Sequence, residues 1–291
     1  MSIELINAAR LGQLDTINSL IAEGVNLDSL YAENTALMAA SYNNQEAIVE
    51  SLIKHGVNIN TPNNYQQTAL IFASAAGNKN IVKLLVQHGA NLEANDSRGS
   101  TALMMAVIKN SDESIAKILL DAGADINARD GAGDTVLMYA IRGNNIAAAR
   151  YILRYYDNAR LERDQELADT HLYVNSANRD GVTALMQAAF AGYRDNVEFL
   201  LQNNADVHAR DSAGMTPLMQ AVSGAVWYLF SFYGDHAGVI RLLLSYGADI
   251  HATDNTGQSA IMKAGILAGT IKALFDNHMN DGPAAKRPRK F

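Results

Sequence analysis

Seven histidines and an absence of cysteine define the chemistry that this sequence could perform. Without cysteine the chain has no disulfide, no thiolate metal ligand and no cysteine nucleophile. Asp235 and His236 form a lone acid–base pair with no nucleophile in register. No phosphate loop, Gly-x-Ser-x-Gly elbow or His-Glu-x-x-His helix occurs in the sequence. We therefore expect no enzyme activity, no catalytic residue, no metal and no cofactor.

Composition and charge narrow the class of protein further. The chain has 291 residues, 48% of them hydrophobic, and a formal net charge of -7, which argues against general nucleic-acid binding. Its longest apolar runs fall far short of the roughly 20 residues that a membrane helix needs, so we expect no membrane association. A chain without cysteine suits a reducing compartment, and we expect a cytoplasmic protein.

A four-residue block recurs along the chain and indicates its architecture. Thr35-Ala36-Leu37-Met38 is repeated, with small changes, at blocks that begin at Thr68, Thr101, Thr135, Thr183, Thr216 and Ser259. The spacings are 33, 33, 34, 48, 33 and 43 residues. An alanine stands five positions after each of these residues, and a second block such as Leu119-Leu120-Asp121-Ala122-Gly123-Ala124-Asp125 follows in most units. A fixed period of this length is typical of repeat proteins.

These blocks resemble the ankyrin repeat, whose Thr-Pro-Leu-His-x-Ala opening and Leu-Leu-x-x-Gly-Ala-Asp closing they match over about residues 3 to 278. With residues 3–24 as a degenerate first unit, the chain has about eight repeats. The resemblance implies an all-α fold, an α-solenoid of helix-turn-helix units with β-turn fingers. We expect the solenoid to span residues 1–280 and a basic tail to span residues 281–291.

Each repeated residue type has a physical role in such a unit. The threonine caps the first helix, and the small alanine lets the neighbouring repeat approach closely. Glycines such as Gly89 end the second helix in a left-handed conformation, which Asn204 can also adopt but Tyr156 cannot easily. Methionine or isoleucine replaces the family's usual histidine after the leucine, and we expect these side chains only to pack.

Two insertions interrupt the period. The first, near residues 157–172, is charged and predicts a longer second helix with a solvated loop, with a binding element as the alternative. The second, near residues 225–236, holds five of the chain's 20 aromatic residues: Trp227, Tyr228, Phe230, Phe232 and Tyr233. A helix extension packed on the last repeats and an interface hot spot both remain open for this segment.

Resemblance to the family implies a protein partner held by the concave face, which the turn tips and the first helices form. By repeat register the tip candidates are Tyr65, Arg98, Arg179 and Asp180. The first-helix candidates are Tyr42, Phe72, Met105, Ile108, Tyr139, Arg142 and Phe190. Aromatic and arginine side chains are enriched at interfaces, although partial burial between repeats is the alternative. We expect an adaptor or effector; the alternatives are a subunit or inhibitor that blocks a partner enzyme and, last, an enzyme with a site at an insertion.

The basic tail raises the question of localisation. Lys286, Arg287, Pro288, Arg289 and Lys290 resemble a single-cluster nuclear localisation signal, which would bind importin, with an ordinary solvated end as the alternative. We expect a cytoplasmic protein that enters the nucleus if this signal functions. The absence of cysteine and the methionine substitution suggest a bacterial protein, in which case we expect delivery into a host cell.

Overall fold

A computed structural model describes residues 2–31, 33–109, 113–162, 170–227 and 234–265. Within these ranges the chain forms sixteen α-helices and only isolated β-bridges. The chain divides into two compact units, residues 1–152 (unit 1) and residues 153–291 (unit 2). The all-α prediction is thus confirmed, whereas the predicted boundary at residue 280 lies outside the described residues. No helix in the described ranges is both long and apolar enough to cross a membrane.

The helices of unit 1 alternate between a first and a second helix of each repeat. They are α1 Ser2–Leu11, α2 Leu14–Ala22, α3 Ala36–Tyr42, α4 Glu46–Lys54, α5 Ala69–Ala76, α6 Lys79–Gln87, α7 Ala102–Lys109, α8 Ser114–Asp121, α9 Val136–Arg142 and α10 Ile146–Glu162. The first helices α1, α3, α5, α7 and α9 pack in sequence, and the second helices α2, α4, α6 and α8 pack in a parallel row. The division between the units falls within α10.

Unit 2 repeats the same arrangement. Its further helices are α11 Thr170–Val174, α12 Ala184–Ala191, α13 Arg194–Gln202, α14 Pro217–Trp227, α15 His236–Ser245 and α16 Ala260–Ala264. First helices α12, α14 and α16 pack in sequence, and α13 packs against α15.

The predicted threonine caps are present with one exception. The hydroxyls of Thr35, Thr135 and Thr183 accept hydrogen bonds from the backbone N–H three residues later, which satisfies a donor that the helix itself leaves unpaired. Ser259 makes the same bond at the start of α16. The Thr68 hydroxyl is buried and caps nothing.

Alanine and leucine occupy the most deeply buried positions of the first helices. The alanine five positions after each cap is at most 2% exposed in all seven units, and those residues are Ala40, Ala73, Ala106, Ala140, Ala188, Ala221 and Ala264. The leucines at the preceding core position, such as Leu37 and Leu103, are 1% exposed. Because successive first helices pack against each other, we infer that they meet over these side chains and so bury a core that no single repeat could enclose.

Polar side chains also connect consecutive repeats. Asn78, at the start of α6, donates its amide to the Ser41 carbonyl at 2.7 Å, and Asn145, before α10, donates to the Val107 carbonyl at 3.0 Å. Each bond satisfies a carbonyl near the C-terminal end of the preceding repeat's first helix, where the helix provides no partner.

The methionine that replaces the family's histidine is buried in most units, as expected. Met38, Met104, Met138, Met186 and Met219 are at most 1% exposed. Met38 does more than pack, because its sulfur lies 3.5 Å from the Thr35 backbone nitrogen and completes a reciprocal capping pair. The methionine of the last unit, Met262, differs from the expectation and is 62% exposed.

Second helices end as the glycine pattern predicted. Gly89 has φ +83° and Asn204 has φ +63°, both left-handed. At Tyr156 the helix does not end: α10 continues to Glu162, as the prediction of a longer second helix requires, whereas residues 163–169 of the predicted loop lie outside the described residues. Tyr156 and Tyr173 stack with ring centroids 4.5 Å apart and are each 5% exposed, so an aromatic pair holds the two ends of the first insertion together.

Candidate functional site

Six of the described β-turn fingers, which lie between the second helix of one repeat and the first helix of the next, are each built on one asparagine or aspartate side chain. The Asp96 Oδ1 accepts hydrogen bonds from the backbone N–H groups of Arg98 and Ser100, both at 2.9 Å. The same two-bond turn occurs at Asn63, Asp130, Asn178, Asp211 and Asp254. Because a short polar side chain ties down two backbone donors, the residues at the finger tips are held in defined positions.

Successive fingers of unit 1 are joined by backbone hydrogen bonds. Ser97 donates to the Tyr65 carbonyl at 2.8 Å, and Gly131 donates to the Arg98 carbonyl at 2.7 Å. Gly99, with φ +83°, allows this approach, since a Cβ there would lie 2.6 Å from the Gly131 nitrogen. Tyr65 and Arg98 are therefore presented on one continuous row of fingers.

The side chains on this row and on the first helices beside it include large exposed aromatics. Tyr42 is 52% exposed and Tyr65 is 53% exposed, and the Tyr42 ring meets the half-buried Phe72 ring edge-on at 6.1 Å. Glu33 accepts a hydrogen bond from the Tyr65 hydroxyl, which raises the pKa of that tyrosine above its ordinary value. Arg98 is exposed at its finger tip. Met105 and Ile108, on α7, are half-buried like Phe72.

A groove in unit 1, which we call the N-terminal groove, lies next to these aromatics and has a volume of about 240 Å³. Its apolar walls are Ile6, Tyr31, Met38, Ala39, Tyr42 and Phe72, and its polar lining consists of Asn7, Arg10, Asn34 and Asn43. Tyr31 and Asn34 exchange two backbone hydrogen bonds of 3.0 and 3.1 Å, so a tight turn directs this part of the wall. Tyr31 is 45% exposed, which leaves the aromatic wall accessible.

Tyr139 does not lie on the exposed surface that its repeat position predicts. The ring is 5% exposed, and the hydroxyl donates to the Asp130 Oδ2 at 2.8 Å and lies 2.7 Å from the Ser100 Oγ. Burial raises the pKa of Tyr139, and the Asp130 carboxylate raises it further. The Arg142 guanidinium lies 4.7 Å from the centre of the Tyr139 ring and pairs with Asp134. Tyr139 therefore holds the finger in place through its hydrogen bond to Asp130, and the Arg142 guanidinium lies over the Tyr139 ring.

The same connection between finger and first helix recurs in unit 2. Gln220 donates its amide to the Asp211 Oδ2 at 2.8 Å, and the Lys263 ammonium lies 2.7 Å from the Asp254 Oδ2. The Lys263 ammonium, together with bonds from Thr256 and Gln258, holds the pKa of the Asp254 carboxyl well below its usual range. In three repeats, then, the residue four positions after the cap holds the finger aspartate of its own repeat.

The remaining candidates in unit 2 differ in accessibility. Arg179 and Asp180 are exposed at a finger tip, and Phe190 is half-buried on α12. Trp227, the last residue of α14, is 78% exposed. Helix α14 has 11 residues against the 8 of α12, so the second insertion begins with a helix extension. The other aromatic candidates, Tyr228, Phe230, Phe232 and Tyr233, and the tail residues Lys286, Arg287, Pro288, Arg289 and Lys290 lie outside the described residues.

Comparison with known proteins identifies the repeat. A family model described as ankyrin repeats (3 copies) matches residues 5–96, 93–164 and 159–254. The chain belongs to the ankyrin-repeat family. No curated protein matches it. Ankyrin repeats are generally protein–protein interaction modules, and the family is typically non-enzymatic.

The acid–base pair Asp235-His236 has a structural place in this ankyrin fold. The Asp235 Oδ1 accepts a hydrogen bond of 2.8 Å from the Gly238 N–H and caps α15. The His236 ring, on a residue that is 8% exposed, bonds through Nε2 to the Phe190 carbonyl at 3.0 Å. Across the described residues no group of three or more acidic or histidine side chains could hold a metal ion.

Sequence reasoning did not find the residues of α1 and of the first turn that complete the N-terminal groove. Ile6 and Arg10 lie in the degenerate first unit, and Tyr31 lies in a turn that departs from the repeat register. Repeat register therefore gave no finger-tip position to Tyr31. A search of the first unit and the first repeat opening for aromatic residues and arginine could have found the cluster.

Proposed function

We propose that this ankyrin protein is an adaptor or effector that captures a protein partner through the fingers and first helices of unit 1. The observation that carries the proposal is that Tyr65 and Arg98 lie on successive hydrogen-bonded fingers, while Tyr65 and, at the end of first helix α3, Tyr42 are each more than half accessible. Tyrosine and arginine are enriched among the residues that dominate binding energy, and a rigid scaffold reduces the entropy that binding costs.

Trp227 is proposed as a second contact, in unit 2. A tryptophan that is 78% exposed contributes little to the core, and burial by a partner would remove its large apolar surface from water. This supports the interface alternative for the second insertion over a packed helix extension.

Affinity capture with matched variants tests the proposal. Wild-type protein and the double variant Tyr65→Ala/Arg98→Glu would be used as bait in native lysate, followed by quantitative mass spectrometry. Lys83→Glu, on the exposed side of the second helix α6, is the matched surface control. We expect at least one partner whose captured amount is unchanged with the control variant and falls at least tenfold with the double variant. Partners retained equally by all three proteins would contradict the proposed surface.

An assay of each captured partner separates an adaptor from an inhibitor, because an inhibitor would lower the partner's own activity.

Localisation is proposed as cytoplasmic, with nuclear entry through Lys286–Lys290, on the basis of the basic cluster alone. A fluorescent reporter fused to residues 281–291 should concentrate in eukaryotic nuclei, and uniform fluorescence would contradict nuclear entry.

A further inference from the structure

The N-terminal groove combines an apolar floor with a cation at its rim. The aromatic rings of Tyr31, Tyr42 and Phe72 supply wall surface that is attractive to an apolar side chain. Arg10, in the last turn of α1, is exposed and lines the same groove. Among the described residues no carboxylate pairs with the Arg10 guanidinium. An unpaired guanidinium beside an apolar wall favours a ligand that carries both an apolar group and an anion.

Asn7 adds a second polar contact on the same helix face. It lies three residues before Arg10, so the two side chains are neighbours on the surface of α1, and both line the groove. The Asn7 amide makes no hydrogen bond to the described residues, which leaves one donor group and one acceptor available to a ligand. An amide of this kind can bond the backbone of an extended peptide.

The volume of the groove limits what can enter it. About 240 Å³ lies below the roughly 300–1,000 Å³ of typical small-molecule sites. That space suits one large side chain that enters from an extended chain passing over the surface.

We propose that the N-terminal groove binds a linear peptide segment of a partner protein in which a large apolar side chain stands next to an aspartate or glutamate. The apolar side chain fills the space between Tyr31, Tyr42 and Phe72, and the carboxylate pairs with Arg10. This inference rests on the proposed protein-binding function and specifies the chemistry of the partner. The chain's own basic segment Lys286–Lys290 is a poor occupant, because its charges would repel Arg10.

Peptide selection on the full chain tests the proposal. A phage-displayed library of random twelve-residue peptides would be selected on the wild-type protein, and the enriched peptides would be made with a fluorescein label for anisotropy titration. We expect enrichment of an aromatic or aliphatic residue next to an acid. Replacing that apolar residue by alanine, or that acid by lysine, should weaken binding at least tenfold.

Variants of the protein locate the binding. Arg10→Glu should weaken the acidic peptide at least tenfold and should bind its lysine-substituted form better than wild-type protein does. Tyr42→Ala should weaken both forms. Lys54→Glu is the matched control, because Lys54 is also an exposed cation in the last turn of a helix but lies outside the groove. Thermal melting of each variant would verify that the fold is retained.

The outcomes separate this inference from the proposed function. Enriched peptides without an acid, or acidic peptides unaffected by Arg10→Glu and Tyr42→Ala, would overturn the groove proposal and leave protein capture standing. Failure to enrich any peptide would also overturn it. Capture from lysate that is the same for the wild type and the Tyr65→Ala/Arg98→Glu variant would overturn the proposed function itself. Selection of a peptide that matches residues 281–291 would replace the partner segment by this chain's own tail.

Discussion

Replacement of Ala106 by leucine tests the packing of the repeats most sharply. Ala106 is 2% exposed on α7, which packs between α5 and α9. If the repeats could move apart freely, three more buried carbons would stabilise the protein by about 0.8 kcal/mol each. We expect overpacking to win, because a close-packed helix contact cannot accommodate the added volume, and the net cost should be about 1–3 kcal/mol.

The matched control is Ala122→Leu, the same change at the exposed C-cap residue of α8 in the same repeat. We expect it to change the free energy of unfolding by less than about 0.5 kcal/mol. Urea unfolding monitored by circular dichroism measures both variants against the wild type. A stabilised Ala106→Leu protein, or equal losses in the two variants, would refute the inferred contact between first helices.

Three further outcomes follow from individual side chains. Trp227→Ala should move the melting temperature little, because the side chain is 78% exposed, while partner capture falls about tenfold; a large stability loss would show that the ring is core. Tyr139→Phe should cost about 1.5–3 kcal/mol in urea unfolding, because the Asp130 carboxylate loses a buried donor, and an unchanged midpoint would contradict this. Since Lys263 lowers the pKa of Asp254, the carboxylate stabilises the fold above its ordinary pKa of about 3.9. That stability is lost progressively as the pH falls below 3.9 toward the folded-state value, so the difference in melting temperature between wild type and Asp254→Asn should narrow as the pH falls from about 5 to about 2; a constant difference would contradict it.

The repeat signals predicted the scaffold because each depends on contacts within one unit or between equivalent positions. A threonine cap, a left-handed Gly89 and a small Ala106 are each dictated by local backbone geometry or by the neighbouring copy of the same unit. The extension of α10 was also predictable, because Tyr156 stands where a left-handed residue would otherwise end the helix.

The candidate site was harder to predict, because side-chain partners decide accessibility. Tyr139 and Tyr42 both occupy first-helix positions assigned to the surface, yet Tyr139 is buried against Asp130 while Tyr42 stays half exposed. What marks Tyr139 for burial is its place nine residues after the aspartate of its finger, where a hydrogen-bond donor can reach that aspartate. Gln220 stands at the same spacing after Asp211 and donates to it. Repeat period alone does not contain that information.

Site-specific photo-crosslinking tests the central claim most directly. The crosslinking amino acid p-benzoylphenylalanine would replace Tyr42 or Tyr65 on the proposed surface and, in a control protein, Lys83 on α6, before irradiation in native lysate. Mass spectrometry would identify the attached peptides. We predict that positions 42 and 65 attach to the same partner protein and that position 83 does not. Attachment from position 83 alone, or equally from all three positions, would contradict protein capture by the fingers and first helices of unit 1.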